Sequence, residues 1–92
     1  MMSRRRSQLE ITLKILDTVR NGEEKPTRIM YASTLSWRRV NRMLCSLVDQ
    51  GLVSEVIDIR RGVKKRRRYK ITEKGVSVLD YFDEGRKILQ IH

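Results

Sequence analysis

Apolar positions in the first third of the chain recur with a helical period. Between Ser7 and Val19, Leu9, Leu13 and Leu16 form one row and Ile11, Ile15 and Val19 another, which predicts an amphipathic helix with a broad apolar face. Asn21 and Gly22 close it. Pro26 suits the first turn of a short second helix, through Thr27 to about Ala32, because its missing N–H costs nothing there. Ser33, Thr34 and Leu35 then form a tight connection, and Ser36 is the expected N-cap of a third helix that runs to about Gln50 and stops at Gly51. On a helical wheel Leu44, Leu47 and Val48 gather around Val40, with Trp37 and Met43 at the margins. Arg38, Arg42 and Asp49 stand opposite, with Arg39 and Ser46 toward the edges.

After Gly51 the period changes from helical to alternating. Leu52 to Ile59 is rich in β-branched residues, Arg60 to Arg67 reads as a basic turn opened by Gly62, and Arg68 to Ile71 alternates basic and apolar. Tyr69 and Ile71 fall on one face of this second strand, Arg68 and Lys70 on the other. The result is a β-hairpin with one side on the core. A last helix opens at Thr72, a plausible N-cap with Glu73 favourably placed in the first turn, and carries Val76, Val78, Leu79, Tyr81, Phe82, Ile88 and Leu89.

Helix, helix, tight turn, helix, basic hairpin, helix is the plan of a winged helix-turn-helix. The expected class is therefore mainly α with a β-hairpin, an α+β fold with an additional C-terminal helix. With 92 residues there is one domain, in which residues 1–71 form the reading region and residues 72–92 supply core packing and dimerisation.

Charge sharpens this picture. The chain carries 21 Lys and Arg against 11 Asp and Glu, a formal +10, while 39% of its residues are hydrophobic, too many for a disordered basic tail. A folded domain with this surplus expects a polyanionic partner. Up to Ile71 there are 18 basic and 7 acidic residues; from Thr72 onward there are 3 and 4. The last helix serves another purpose.

Other chemistries find no support. Cys45 is the single cysteine and His92 the single histidine, so neither an internal disulfide nor a Cys/His metal cluster is available, and no cofactor site is expected. No nucleophile–base pair or paired-carboxylate arrangement stands out, Glu23 and Glu24 reading as a solvated loop, so an enzyme is not expected. No apolar run approaches the roughly 20 residues of a membrane span, and the arginines near the start precede no signal-peptide core. A soluble, cytoplasmic, nucleoid-associated protein without membrane or metal partners is the expectation.

In helix-turn-helix readers the second helix of the pair enters the major groove with its first residues over base edges. Here that helix offers Ser36, Trp37, Arg38, Arg39, Asn41 and Arg42; arginine can pair bidentately with guanine and asparagine with adenine. Trp37 could stack on a base, but its position beside Val40 and Leu44 favours a core anchor, and Tyr31 and Tyr69 read as core aromatics with hydroxyls at the rim. Cys45 beside the cationic face reads as inert. The hairpin is the strongest local signal: Arg60, Arg61, Lys64, Lys65, Arg66, Arg67, Arg68 and Lys70 occupy eight of eleven positions, and phosphates would relieve their mutual repulsion. Arg4, Arg5 and Arg6 form a possible N-terminal arm. In the last helix Val78, Phe82, Gly85 and Leu89 follow the 4, 3, 4 spacing of a coiled-coil seam; with Tyr81 and Ile88 they predict a homodimer.

The segments Pro26 to Ser33, Leu35-Ser36, Leu47 through Gly51-Leu52-Val53, and Tyr69-Lys70-Ile71-Thr72-Glu73-Lys74-Gly75 resemble those of small archaeal winged-helix DNA-binding proteins, which include chromatin proteins and transcriptional regulators. The resemblance spans roughly residues 9–82. It implies a winged helix, binding of double-stranded DNA, and a homodimer held by an antiparallel coiled coil of the last helix. The last helix here is short for that role and is interrupted by Gly85, and the wing is more basic than the resemblance requires. Three other readings stay open: an architectural chromatin protein with little sequence preference, an RNA-associated basic protein, and a protein-interaction module that uses the last helix, with charge serving only solubility.

Overall fold

A computed structural model describes residues 8–60 and 64–89. Its elements run α1 (Gln8–Arg20), α2 (Pro26–Ser33), α3 (Trp37–Asp49), β1 (Val53–Arg60), β2 (Lys64–Ile71) and α4 (Glu73–Leu89), the order the hydrophobic pattern predicts. α1 packs against α2, α4 and the second strand of the hairpin, while α3 packs against α2 and β1. Ile15, Leu16, Ile29, Val40, Leu44, Leu47, Val53 and Tyr69 are the most deeply enclosed side chains of this core. Leu9, on the predicted α1 stripe, is half exposed because it lies in the first turn, beyond the reach of the other helices.

Local chemistry sets the element ends. Gly22 adopts φ +101° after α1, and Pro26 opens α2. The tight connection after α2 is made by Thr34 in the left-handed region (φ 55°, ψ 37°), with its N–H directed at the carbonyls of Met30 and Tyr31. Ser36 caps α3 as expected, its hydroxyl accepting from the Arg39 N–H at 3.3 Å. Thr72 caps α4 and also ties it down. Its Oγ1 accepts from the Gly75 N–H at 3.0 Å and donates to the Gly51 carbonyl at 2.7 Å, while the Thr72 N–H donates to Leu52 O at 3.2 Å.

β1 and β2 form one antiparallel ladder from Val53↔Ile71 to Arg60↔Lys64. This corrects the reading of Arg60 to Arg67 as a turn: the strand already begins at Lys64, so most of the basic run is paired backbone. Lysine and arginine have weak strand preference, but the β-branched partner strand supplies a continuous ladder. Successive residues of the ladder then fall on opposite faces. Glu55, Ile57, Arg67 and Tyr69 share one face; Val56, Asp58, Arg66 and Arg68 share the other. On the outer edge of β2, the Tyr69 N–H donates to the Glu24 carbonyl at 2.9 Å, which ties the loop before α2 to the hairpin.

α4 returns across α1. Leu79 is buried, and Val78 and Phe82 pack against the core while Tyr81 and Ile88 remain exposed. Arg20, at the end of α1, donates to Asp17 at 2.6 Å and lies 3.6 and 3.7 Å from Asp80 and Asp83 of α4. The hydrogen bond to Asp17, reinforced by the three carboxylates, raises its pKa. Part of the acidic balance of the C-terminal segment is therefore spent within the fold.

Candidate nucleic-acid interface

Three elements meet around an open cleft of about 880 Å³. The first turn of α2 contributes Lys25, Pro26 and Thr27; α3 contributes Trp37 and Asn41; the wing contributes Asp58, Arg66, Arg67 and Arg68. The geometry follows from the chain's own turns. The left-handed Thr34 swings α3 across α2, and the hydrogen bond between Tyr69 and Glu24 holds the wing against the loop that leads into α2.

The α3 face divides as the wheel predicts. Val40, Met43, Leu44 and Leu47 are buried, while Arg38, Arg39, Arg42, Cys45 and Ser46 are exposed and Asn41 is half-buried. Arg38, Arg39, Arg42 and Arg66 make no ion pair with any described residue, which leaves their charges available.

Two aromatic expectations are corrected. Trp37 is 47% exposed and lines the cleft, because the first turn of α3 projects past the core before Val40 enters it. Tyr31 is 74% exposed on the outer side of α2, where Ile29 and Ser33 face inward instead. Tyr69 does belong to the core, and its hydroxyl donates to Glu55 at 3.0 Å.

Arg68 differs from its wing neighbours. Its Nη2 donates to Asp58 Oδ2 at 3.1 Å and its Nη1 lies 3.9 Å from Glu24 Oε1. Neither carboxylate stands out in the sequence, where Glu24 reads as part of a solvated loop. An acidic residue within a cationic hairpin, two positions from its charge partner's cross-strand neighbour, was the available signal. Arg60, Lys64 and Lys65 are placed by backbone register alone, and Arg61 with Arg4, Arg5 and Arg6 lies outside the described residues. Among the described residues there is no His, Cys, Asp and Glu grouping suited to a metal and no helix long and apolar enough to cross a membrane.

A family model described as winged helix-turn-helix matches residues 5–90. The chain belongs to this family. An uncharacterized protein of the archaeon Methanocaldococcus jannaschii is 32% identical over 71 residues, which are 77% of this chain and 64% of the relative, so the chain spans just under two thirds of that relative's length. Among solved structures, Sso10a-2, a DNA-binding protein from Sulfolobus solfataricus, is similar with 29% identity and a TM-score of 0.67, covering 92% of this chain and 83% of that one. PadR of Bacillus subtilis, solved in complex with operator DNA, shares the fold with a TM-score of 0.71 at 18% identity, covering 79% of this chain and 46% of PadR. Sso10a-2 is described as a DNA-binding protein and PadR is seen on operator DNA. The winged helix-turn-helix with its additional C-terminal helix is thus the fold expected from the element order.

Proposed function

We propose that this winged helix-turn-helix binds double-stranded DNA and acts as a transcriptional regulator. The observation that carries this reading is the set of unpaired arginines on the exposed face of α3, the helix whose Trp37 and Asn41 line a cleft shared with the basic wing. Arg38, Arg42 and Arg39 are the groove contacts, supported by Ser36, Trp37 and Asn41. Trp37, with its indole exposed in the cleft, is suited to pack against a sugar or base edge. The wing residues Arg60, Arg61, Lys64, Lys65, Arg66 and Arg67 hold phosphates, and Arg4, Arg5 and Arg6 form an arm along the duplex. Residues 1–71 read and residues 72–92 pair two copies, with Val78, Tyr81, Phe82, Gly85, Ile88 and Leu89 at the seam. A cytoplasmic, nucleoid-associated protein fits this role.

Salt dependence tests the reading directly. Each phosphate neutralised steepens log K against log salt by about 0.9, so five contacts from the wing and three from α3 give a slope near −7 on duplex DNA. Selection from random duplexes then separates a regulator, which returns a motif, from an architectural protein, which returns none. Equal affinity for duplex RNA at matched salt contradicts insertion of α3, because the A-form major groove does not admit a helix.

A further inference from the structure

Arg68 belongs to the basic run, yet its surroundings set it apart. One guanidinium faces two carboxylates, Asp58 on β1 at 3.1 Å and Glu24 in the loop between α1 and α2 at 3.9 Å. Its Nε is enclosed and meets no acceptor among the described residues. The next residue, Tyr69, donates its backbone N–H to the carbonyl of the same Glu24 at 2.9 Å. Glu24 therefore grips β2 twice, through its main chain and its side chain, and Arg68 joins both strands of the wing to the loop that introduces α2.

A phosphate approaching Arg68 meets Asp58 and Glu24 as well, and two carboxylates oppose it where one cation attracts it. Arg66 faces Asp58 directly across the ladder, yet Asp58 pairs with Arg68 and Arg66 makes no ion pair with a described residue. The three paired side chains remain partly exposed, so their contribution to stability is small. Their effect is on angle. A two-stranded wing projecting from its core can swing about its base, and a strap from wing to helix-turn-helix holds its tip at one distance from the reading helix.

We propose that Arg68 is a positioning residue which, with Asp58 and Glu24, straps the wing to the helix-turn-helix and so fixes the spacing between wing and α3 contacts on a duplex. This rests on the DNA-binding reading. It removes Arg68 from the phosphate contacts and gives two acidic residues a role in binding a polyanion.

Asp58→Asn supplies the decisive sign. The variant raises the net charge by one and removes a carboxylate from the cleft, so simple electrostatics tightens DNA binding. The strap requires the opposite: affinity for a selected duplex falls about three-fold, a loss within the range of an exposed ion pair. Arg68→Gln then causes a similar loss with an unchanged salt slope, whereas Arg66→Gln lowers the slope by about 0.9. The double variant Asp58→Asn/Arg68→Gln loses no more than either single change, and hydroxyl-radical protection at the wing's end of the footprint becomes diffuse in all three. Thermal melts confirm that each variant is folded. Tighter binding by Asp58→Asn, or a shallower salt slope for Arg68→Gln, overturns the strap. Absence of salt-dependent duplex binding by the unaltered protein instead overturns the DNA reading, and the strap's role with it.

Discussion

The Tyr69 hydroxyl donates to Glu55 Oε2 at 3.0 Å, between two residues that face each other directly across the hairpin. The ring is 1% exposed, so the phenol is held neutral where the wing leaves the core. Burial, followed by the hydrogen bond to Glu55, pushes its pKa up from 10.0 to about 12, against the weaker opposing influence of Arg67.

The consequence for stability has a definite sign. An unfolded Tyr69 gives up its proton near pH 10 while the folded one retains it to about pH 12, so this residue's contribution is complete below pH 10 and lost as pH rises through 12. Absorbance at 295 nm should show one phenol ionising near pH 12, absent in Tyr69→Phe. The melting temperature of the unaltered protein should fall more steeply above pH 10 than that of the variant.

The two glycines of α4 should respond in opposite directions to alanine. A Cβ at Gly75 would run into the Leu52 carbonyl and sit 2.8 Å from Ile71 Cγ1, where backbone cannot yield easily. Gly75→Ala is expected to cost about 2–3 kcal/mol despite its better helix propensity. Nothing lies within 4 Å of a Cβ at Gly85, so Gly85→Ala should stabilise the lone chain by about 1 kcal/mol. Denaturant unfolding measures both.

Gly85→Ala also bears on pairing. If two copies of α4 pass closely at this position, the added methyl weakens their association even as it stabilises the helix. Tyr81 and Ile88 are 74% and 76% exposed, an apolar surface the chain alone leaves uncovered. Light scattering at tens of micromolar should give a dimeric mass that Ile88→Ser reduces toward the monomer with little change in the melt; a monomeric mass for the unaltered protein contradicts the dimer.

Thr34 stores backbone strain in the helix-turn-helix connection, since a β-branched residue at φ 55° crowds its own backbone. Thr34→Gly should raise stability by about 1 kcal/mol, a shift of roughly 4–8 °C in a domain of this size. A lower melting temperature would mean that hydrogen bonds of the Thr34 side chain, including that to the Ser33 carbonyl at 2.6 Å, outweigh the strain.

Reading specificity separates from general attraction in a parallel way. Arg38→Ala or Arg42→Ala should relax preference at one base position by about 1–3 kcal/mol, while Arg66→Ala should weaken all duplexes alike. Competition against sequence-scrambled duplexes checks both.

Much of this fold is written in local pattern. The 3.6-residue rows of α1 and α3, the caps at Ser36 and Thr72, the stop at Gly51 and the alternation at Tyr69 and Ile71 each follow from chemistry within one or two turns of chain. The cationic face of α3 opposite Val40, Leu44 and Leu47 follows from the same period. Tertiary contacts decided what that pattern leaves open. The basic run became strand because β1 offered a ladder, Trp37 entered the cleft because α3 begins beyond the core, and Arg68 left the pool of unpaired cations because Glu24, 44 positions earlier, folds back against it. Charge composition is additive along a chain, whereas the availability of a given charge depends on its neighbours in space, and for Arg68 those are brought together only when the two strands pair and the loop before α2 closes on them.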